Sequence, residues 1–537
     1  LYSVVFRSRP YRIGPYLAED MPKMEFFNAK NESVRLEDNV PIAYTIYTIK
    51  IKKNIFFQPH PGFCEILHVK DCKHYKRELF ADDFAYQIKR IGGIDSHSPF
   101  SSTLAKFILG FKEYQEQYNQ ISPGWNDLRN REIKGVKVLD PYTLQLTTLG
   151  YSSQWIFWLT LNFLSPMPWE IDKFHYQNHE KDNDSSWLTY SIGTGPYMLY
   201  NHDSKQEIHL QKNPHYRLEY YQFGEEKKQV PVVDDFFFIV EKESIPRWSK
   251  FLQGYADLSA IPAESFQNTI QIGQNGHVAL SRSFKEKNIH LDIEPSTYLS
   301  GIVFNFLDPL LGQYSNQGIK LRQAISIAFD FDEYRTIFRN GRGEIAHDPI
   351  PPSIITNKKE LLGQNQYIFS HGHKKTLRYA KQLLKEAGYP NGINPLTKKP
   401  LVLYLDQVSE GLPQEKALFT WFQKQTHKLG IQLFIRENDT NRYRKRLLNG
   451  DFQMTFFGWS ADYPTPENFL MLFYGPNQHA KLEGPNWANF NHPEYNRLFK
   501  KIETMPEGPE RNLIFKLMID ILRKHSVWIW GLYGESL

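Results

Sequence analysis

The sequence predicts an α/β protein of more than one domain, and three observations carry that reading. A chain of 537 residues exceeds what a single hydrophobic core holds. Hydrophobic residues make up 41% and aromatic residues 15%, enough to pack several cores and too much for a disordered chain. From about Ile302 onward, strand-like and helix-like runs alternate, as in a mostly parallel sheet with crossover helices.

Taken in order, the chain opens on a β-type run at Tyr2–Phe6. Ile42–Ile51 and Tyr142–Leu149 alternate apolar and polar residues with the period of a half-buried strand. Ala81–Ile91 switches to helical spacing, with Phe84, Ile88 and Ile91 on one face and acids in the first turn. Trp155–Leu164 reads as a buried amphipathic segment ending before Pro166 and Pro168. Strands follow around Met198, at Ile208–Leu210 and at Val232–Val240. Past the β run Ile302–Phe306, helices are predicted at Leu321–Phe329, Thr376–Ala387 and Pro413–Leu429. Gly388 with Pro390 just beyond marks the end of the second of these. Strands at Leu401–Leu405 and Ile431–Ile435 alternate with them. Asn512–Leu522 is a last amphipathic helix and Val527–Tyr533 a final buried strand.

Composition also excludes function classes. The formal net charge is +5, from 64 basic and 59 acidic residues, a weak field over this length. The densest basic runs, Lys358-Lys359, Lys374-Lys375 and Arg442–Arg446, are short and read as solvated faces, so nucleic acid is not an expected partner. No run approaches the ~18 apolar residues of a membrane span. No export signal is visible at Leu1, and the abrupt start leaves export open. The two cysteines, Cys64 and Cys72, lie close together, as a disulfide closing a short loop in an oxidising compartment would have them. His60, Cys64, His68, Cys72 and His74 could also be drawn as a zinc site, but Pro61 and Gly62 interrupt the helix that would align them. The expectation is no metal and no cofactor. Catalytic patterns are absent: there is no HExxH helix, no P-loop, and Gly458-Trp459-Ser460-Ala461-Asp462 lacks the second glycine of a nucleophile elbow.

Several segments resemble, in order, those of one family. Gly458-Trp459-Ser460-Ala461-Asp462-Tyr463-Pro464-Thr465-Pro466-Glu467-Asn468-Phe469-Leu470 is similar to the signature of the bacterial extracellular solute-binding proteins of family 5, the oligopeptide and dipeptide receptors of ABC importers. Glu78–Phe84 resembles the family's T-A-x-D-F helix start, with Phe80 in place of the usual Thr cap. Val138–Thr143 resembles its D-x-Y-T entry, and Gly193–Tyr197 with Lys212–Tyr216 its GTGPY and R-N-P-x-Y pair. Leu321–Ile325 with Asp330, and Asn491–Tyr495, match two further segments.

The resemblance implies a two-lobed periplasmic binding protein fold, α/β, type II and cluster C-like, with an extra subdomain in the first lobe. Residues 1–150 would form that subdomain and part of the first lobe, 151–305 the first lobe's core, 306–526 the second lobe, and 527–537 a strand returning to the first. It implies a receptor, not an enzyme, that encloses a peptide or other small solute between its lobes by hinge closure and hands it to an inner-membrane ABC permease. Such a protein is monomeric and periplasmic or otherwise extracytoplasmic, with or without a lipid anchor.

The resemblance places the family's ammonium-binding role on Asp462, where a desolvated carboxylate facing –NH₃⁺ would make charge-assisted hydrogen bonds; the alternative is a cap on the turn before Pro464. Backbone groups of Gly458, Trp459, Ser460 and Ala461 would pair with an extended peptide. Trp459 and Tyr463 would wall the cleft or pack in the core, and Asn305 would touch the ligand or close a strand end. Arg442 and Arg444 are conceivable partners for a ligand carboxylate. A non-peptide ligand (metal chelate, modified peptide or oligosaccharide) is the alternative within transport; a secreted hydrolase and a chaperone-like protein are the alternatives outside it.

Overall fold

The structure is a computed structural model that describes all residues except 6–10, 39, 72–73, 94–97, 99, 119–124, 180–189, 204–205, 224, 273–277, 356–364, 371–372, 507 and 537. The chain divides into two compact units between Arg247 and Trp248. This lies before the crossing expected near Asn305, because the strand leading into Asn305 is built into the second unit's sheet.

In the first unit, strands β1 (Lys23–Phe27), β2 (Ser33–Val34), β3 (Tyr44–Lys50), β4 (Val136–Asp140) and β5 (Thr143–Leu149) form an antiparallel sheet in the order β2-β1-β3-β5-β4. Helix α1 (Pro61–Leu67) carries Cys64, and α2 (Ala81–Ile91) buries the predicted face, with Phe84, Ile88 and Ile91 at most 3% exposed. Phe80 cannot cap α2 through its side chain. Asp83 instead accepts the Phe80 amide at 2.8 Å, and Arg77 anchors Asp83 through two bonds of 2.8 and 3.1 Å. A second sheet, in the order β8-β7-β6, joins β6 (Tyr197–Asp203), β7 (Glu207–Lys212) and β8 (Asp235–Ile239). The GTGPY and N-P segments are tied there: the Asn213 amide donates to the Gly195 carbonyl at 2.8 Å.

The second unit holds a six-stranded sheet. Its strands are β9 (Glu294–Phe304), β10 (Glu344–Ile345), β11 (Val402–Val408), β12 (Gln432–Asn438), β13 (Met454–Ser460) and β14 (Trp528–Ser536), in the order β10-β14-β9-β13-β11-β12. The sheet is mixed, which corrects the mostly parallel expectation. β11 runs parallel to β12 and β13, each reached by a helical crossover, whereas β9 is antiparallel to both β13 and β14. The helices that pack here are α3 (Asn316–Ala328), α4 (Phe331–Arg339), α5 (Leu377–Glu386), α6 (Pro413–His427), α7 (Thr440–Asn449), α8 (Pro466–Leu470) and α9 (Pro509–His525). α5 begins on a Thr376 cap to the Tyr379 amide and ends before Gly388 at φ +96°, as its spacing predicts. Val303, Phe304, Leu321, Ile325, Phe422, Met454 and Trp528 lie in one continuous core.

Arg322, from the matched α3 segment, is fully buried. It donates to the carbonyls of His525 (2.8 Å), Leu311 (2.6 Å) and Gln313 (2.8 Å), and its guanidinium lies over the Phe306 ring at 4.5 Å. Burial pushes its pKa down to about 9. Lys374, read from the sequence as solvated, instead donates to the buried Phe329 carbonyl and is pushed down to about 8 by burial; Lys358 and Lys359 lie outside the described residues. Replacing Arg322 with Met keeps most of the volume but strands three carbonyls. The expected cost is roughly 2–5 kcal/mol, read as a lower urea midpoint of unfolding.

Candidate functional site

The site is built where β13 leaves the sheet. Tyr298, Leu299 and Ser300 of β9 stand opposite Ser460, Trp459 and Gly458 of β13. Alternation therefore sets Tyr298, Ser300, Gly458 and Ser460 on one face and Leu299 and Trp459 on the other. Gly458 is required by close approach: a Cβ there would fall 1.9 Å from the Tyr298 hydroxyl oxygen and 2.2 Å from its ring. On its other edge, β13 is laddered to β11 only at Met454 and Thr455. The Gln407 side chain of β11 accepts the Phe456 amide at 3.3 Å; from Phe457 to Ser460 that edge carries no strand among the described residues, and Ser460 is exposed.

Beyond the strand, Asn468 of α8 organises the turn. It is fully buried, and its Oδ1 accepts the Trp459 indole N–H at 2.9 Å and the Asp462 amide at 3.1 Å. Its amide nitrogen donates to the Asp462 carboxylate at 3.4 Å. Asp462 is open to solvent yet crowded by protein, and the lost hydration lifts its carboxyl above the ordinary value while the Asn468 bond opposes the rise. Among the described residues no backbone amide donates to this carboxylate, so it does not cap the turn before Pro464. The group is a presented anion with a single amide donor and no cation.

Tyr463 is 1% exposed and belongs to the core, not to a ligand wall. Its hydroxyl donates to Glu467 at 2.6 Å. Burial lifts Glu467 to about 7, with the Tyr463 bond and the Arg511 charge pulling the other way. A protonated Glu467 beneath Asp462 spares that carboxylate a like charge. Sequence reasoning assigned no role to Asn468 or Glu467. The signal was the polar pair inside an otherwise apolar helix turn, E-N-F-L.

The structure separates Asn305 from this group. Its side chain is fully buried and donates to the carbonyls of Gly450 (2.9 Å) and Phe452 (2.7 Å). It accepts from the Leu307 amide (3.1 Å) and the Asn489 side chain (3.0 Å), so all four of its hydrogen-bonding positions are used internally. Ala461 is half-buried beside Asp462. Arg442 and Arg444 lie exposed on α7, while Arg446 of the same helix pairs with buried Asp406 at 2.8 Å.

In the first unit, His60 caps α1 through Nδ1, which accepts the Gly62 amide, and its Nε2 lies 3.0 Å from the Tyr190 carbonyl. Both nitrogens are thus engaged away from any metal. Among the described residues no cluster of His, Cys, Asp and Glu has metal-ligand geometry. Cys64 is disulfide-bonded; Cys72, its expected partner, lies outside the described residues. A cavity of about 330 Å³ around Asp330, Lys374 and Trp530 has no residue of the Asp462 turn in its lining.

Residues 29–481 match the family described as bacterial extracellular solute-binding proteins, family 5 Middle. Among curated proteins, the chain is 24% identical over 486 residues to heme-binding protein A of Haemophilus influenzae, covering 90% of this chain and 75% of that one. It is 22% identical to di/tripeptide-binding protein 1 of Pseudomonas aeruginosa, covering 89% and 76%. Among solved structures, the periplasmic binding protein DppA of Helicobacter pylori, in complex with the peptide STSA, superposes with a TM-score of 0.65 at 20% identity, covering 98% of this chain and 84% of that one. The fold read from the sequence, α/β with the two lobes of such proteins, is the fold of these relatives.

Two outcomes follow. Gly458→Ala should displace Tyr298 and lower stability by roughly 1–3 kcal/mol, and Tyr298→Ala in the same chain should recover most of the loss; a denaturant double-mutant cycle reads this. Burial lifts Glu467 in the folded state above its ordinary value of 4.5, so the folded state holds the extra proton and loses relative stability as pH rises from about 4.5 through 7. Glu467→Gln should flatten that slope, checked by urea unfolding at pH 5 and pH 7.5.

Proposed function

Because the chain belongs to the bacterial extracellular solute-binding proteins of family 5, we propose that it captures oligopeptides and delivers them to the permease of an ABC importer. The observation that carries this reading is the presented Asp462 carboxylate, oriented by Asn468 and without a protein cation among the described residues, beside a strand edge that carries no partner strand from Phe457 to Ser460. An extended peptide adds to such an edge through its main chain, which gives affinity largely blind to side chains. Its α-ammonium supplies the missing counter-charge through charge-assisted hydrogen bonds. Trp459, locked by its indole bond to Asn468, lies on the opposite face of β13 and holds the turn in register. Asp462, Gly458, Ser460 and Ala461 are the proposed contacts, and Tyr463 supports them from within. No catalytic step is part of this role. The protein acts as a monomer outside the cytoplasm.

A non-peptide solute is the second reading, favoured by the likeness to a protein named for heme binding. Titration calorimetry separates the two. Alanine peptides with a free N-terminus should bind with 1:1 saturation, and their N-acetylated forms should bind far more weakly. Asp462→Asn should cost roughly 2–5 kcal/mol of binding and erase the difference between the two peptide sets. If free and acetylated peptides bind alike, or neither binds, the ammonium site is refuted and the non-peptide reading takes its place.

A further inference from the structure

The cavity of about 330 Å³ lies within the second unit, bounded by the start of α4, the end of β10, the start of β14 and the turn from Asn365 to Phe369. Its volume falls at the lower end of the roughly 300–1,000 Å³ that small-molecule pockets occupy. Phe331, Ile345, Ile368, Phe369 and Ile529 give it apolar walls, and Lys374, Asn365 and Asp330 set polar groups among them. An apolar chamber with a few placed polar groups is the build of a ligand pocket.

Local bonding places these groups and leaves donors unspent. Asn365 is 2% exposed and winds the turn around itself. Its carbonyl accepts the amides of Ile368 (3.1 Å) and Phe369 (2.8 Å), and its Oδ1 accepts the Tyr367 amide at 3.1 Å. Its side-chain nitrogen has no hydrogen bond among the described residues. Phe369 pairs with Lys374 in a short antiparallel ladder, which sets the lysine across from the turn. The Lys374 ammonium donates to the Phe329 carbonyl, and among the described residues it has no other hydrogen bond and no ion pair. Burial pushes it down to about 8; the Asp330 charge opposes that fall and the Lys428 charge adds to it. Asp330 spends its Oδ1 on the amides of Asp332 and Glu333, at 3.1 and 3.2 Å, where α4 begins.

A cation and an amide lining one apolar chamber with N–H groups unspent stand at a desolvation cost. A carboxylate removes it, accepting from the ammonium and the neutral amide together, and the ammonium bond is charge-assisted. A phosphate head would set a second negative charge against Asp330, so a single carboxylate matches better. The apolar walls call for a compact hydrocarbon or aromatic body behind it.

We propose that this cavity is a second ligand site, taking a small monocarboxylate with a compact apolar body whose head is held by Lys374 and Asn365. It stands apart from the peptide reading, since no residue of the Asp462 turn lines it.

Titration calorimetry with 3-phenylpropanoate and its uncharged amide tests this. The acid should bind wild-type protein 1:1, and the amide about tenfold or more weakly. Lys374→Met should erase the difference. Asn365→Asp keeps the shape and the acceptor for Tyr367 but replaces the free donor with an anion. It should weaken binding of the acid by about tenfold or more. Asp462→Asn should leave that binding unchanged. No binding of the acid, equal binding of acid and amide, or loss of binding in Asp462→Asn overturns the assignment. If Lys374→Met fails to fold, Asn365→Asp decides alone, and undiminished binding of the acid there overturns it.

Phenylalanine separates two sources of the carboxylate, because its ammonium can meet Asp330. Tighter binding than 3-phenylpropanoate, lost in Asp330→Asn, supports the site with a free amino acid as ligand. Equal or weaker binding supports it with a simple acid.

Discussion

The second unit depends on one strand being hydrogen-bonded along both edges. β9 pairs with β13 on one side and β14 on the other, joining segments far apart in sequence into one sheet. The β14 ladder closes only because the chain bulges at Gly531: Ser300 faces Leu532 while the next residue, Gly301, faces Trp530. A Cβ on Gly531 would meet the Ser300 carbonyl at 2.7 Å. With that register fixed, the β13 register is fixed as well, because a one-residue slip would turn Leu299 and Trp459 to the opposite face. Tyr298 over Gly458, Asn468 under Trp459 and the open edge beside Ser460 all follow from it.

Most elements were legible because their patterns are local. Helix α2 carries its apolar stripe and acidic first turn, α5 its Thr cap and terminal glycine, and β3 and β5 their alternation. Strand direction was not legible. Alternating strands and helices after Ile302 suggested parallel pairing, but β9 and β14 are recruited to the sheet by partners that no local period encodes. The division of the chain into two compact units, between Arg247 and Trp248, likewise has no local signal in the sequence.

At the site, the Gly458–Asp462 segment was legible as a motif, whereas the fate of each side chain was not. Tyr463 and Trp459 look alike in sequence, two aromatics flanking an acid. Only the structure separates them, burying Tyr463 on Glu467 and leaving Trp459 tethered to Asn468 at the strand edge. Asn305 has the chemistry of a ligand contact, but its four hydrogen-bonding positions are taken by Gly450, Phe452, Leu307 and Asn489. An amide with no capacity left cannot read a ligand.

The electrostatics of the unit then bear on how a ligand would lie. Asp462 is raised by lost hydration and steadied by one amide, and the acid beneath it, Glu467, is itself held near neutrality by burial. Negative charge is therefore concentrated on Asp462 instead of being shared between two carboxylates. A main-chain ladder fixes neither the identity nor the polarity of an added strand, since N–H and C=O groups alternate in either direction. A fixed carboxylate at one end does fix polarity for a ligand with a free ammonium, and it does so without contacting any side chain of the ligand. A receptor built this way would discriminate by a free N-terminus while remaining tolerant of composition, because that is the property its fixed charge can sense.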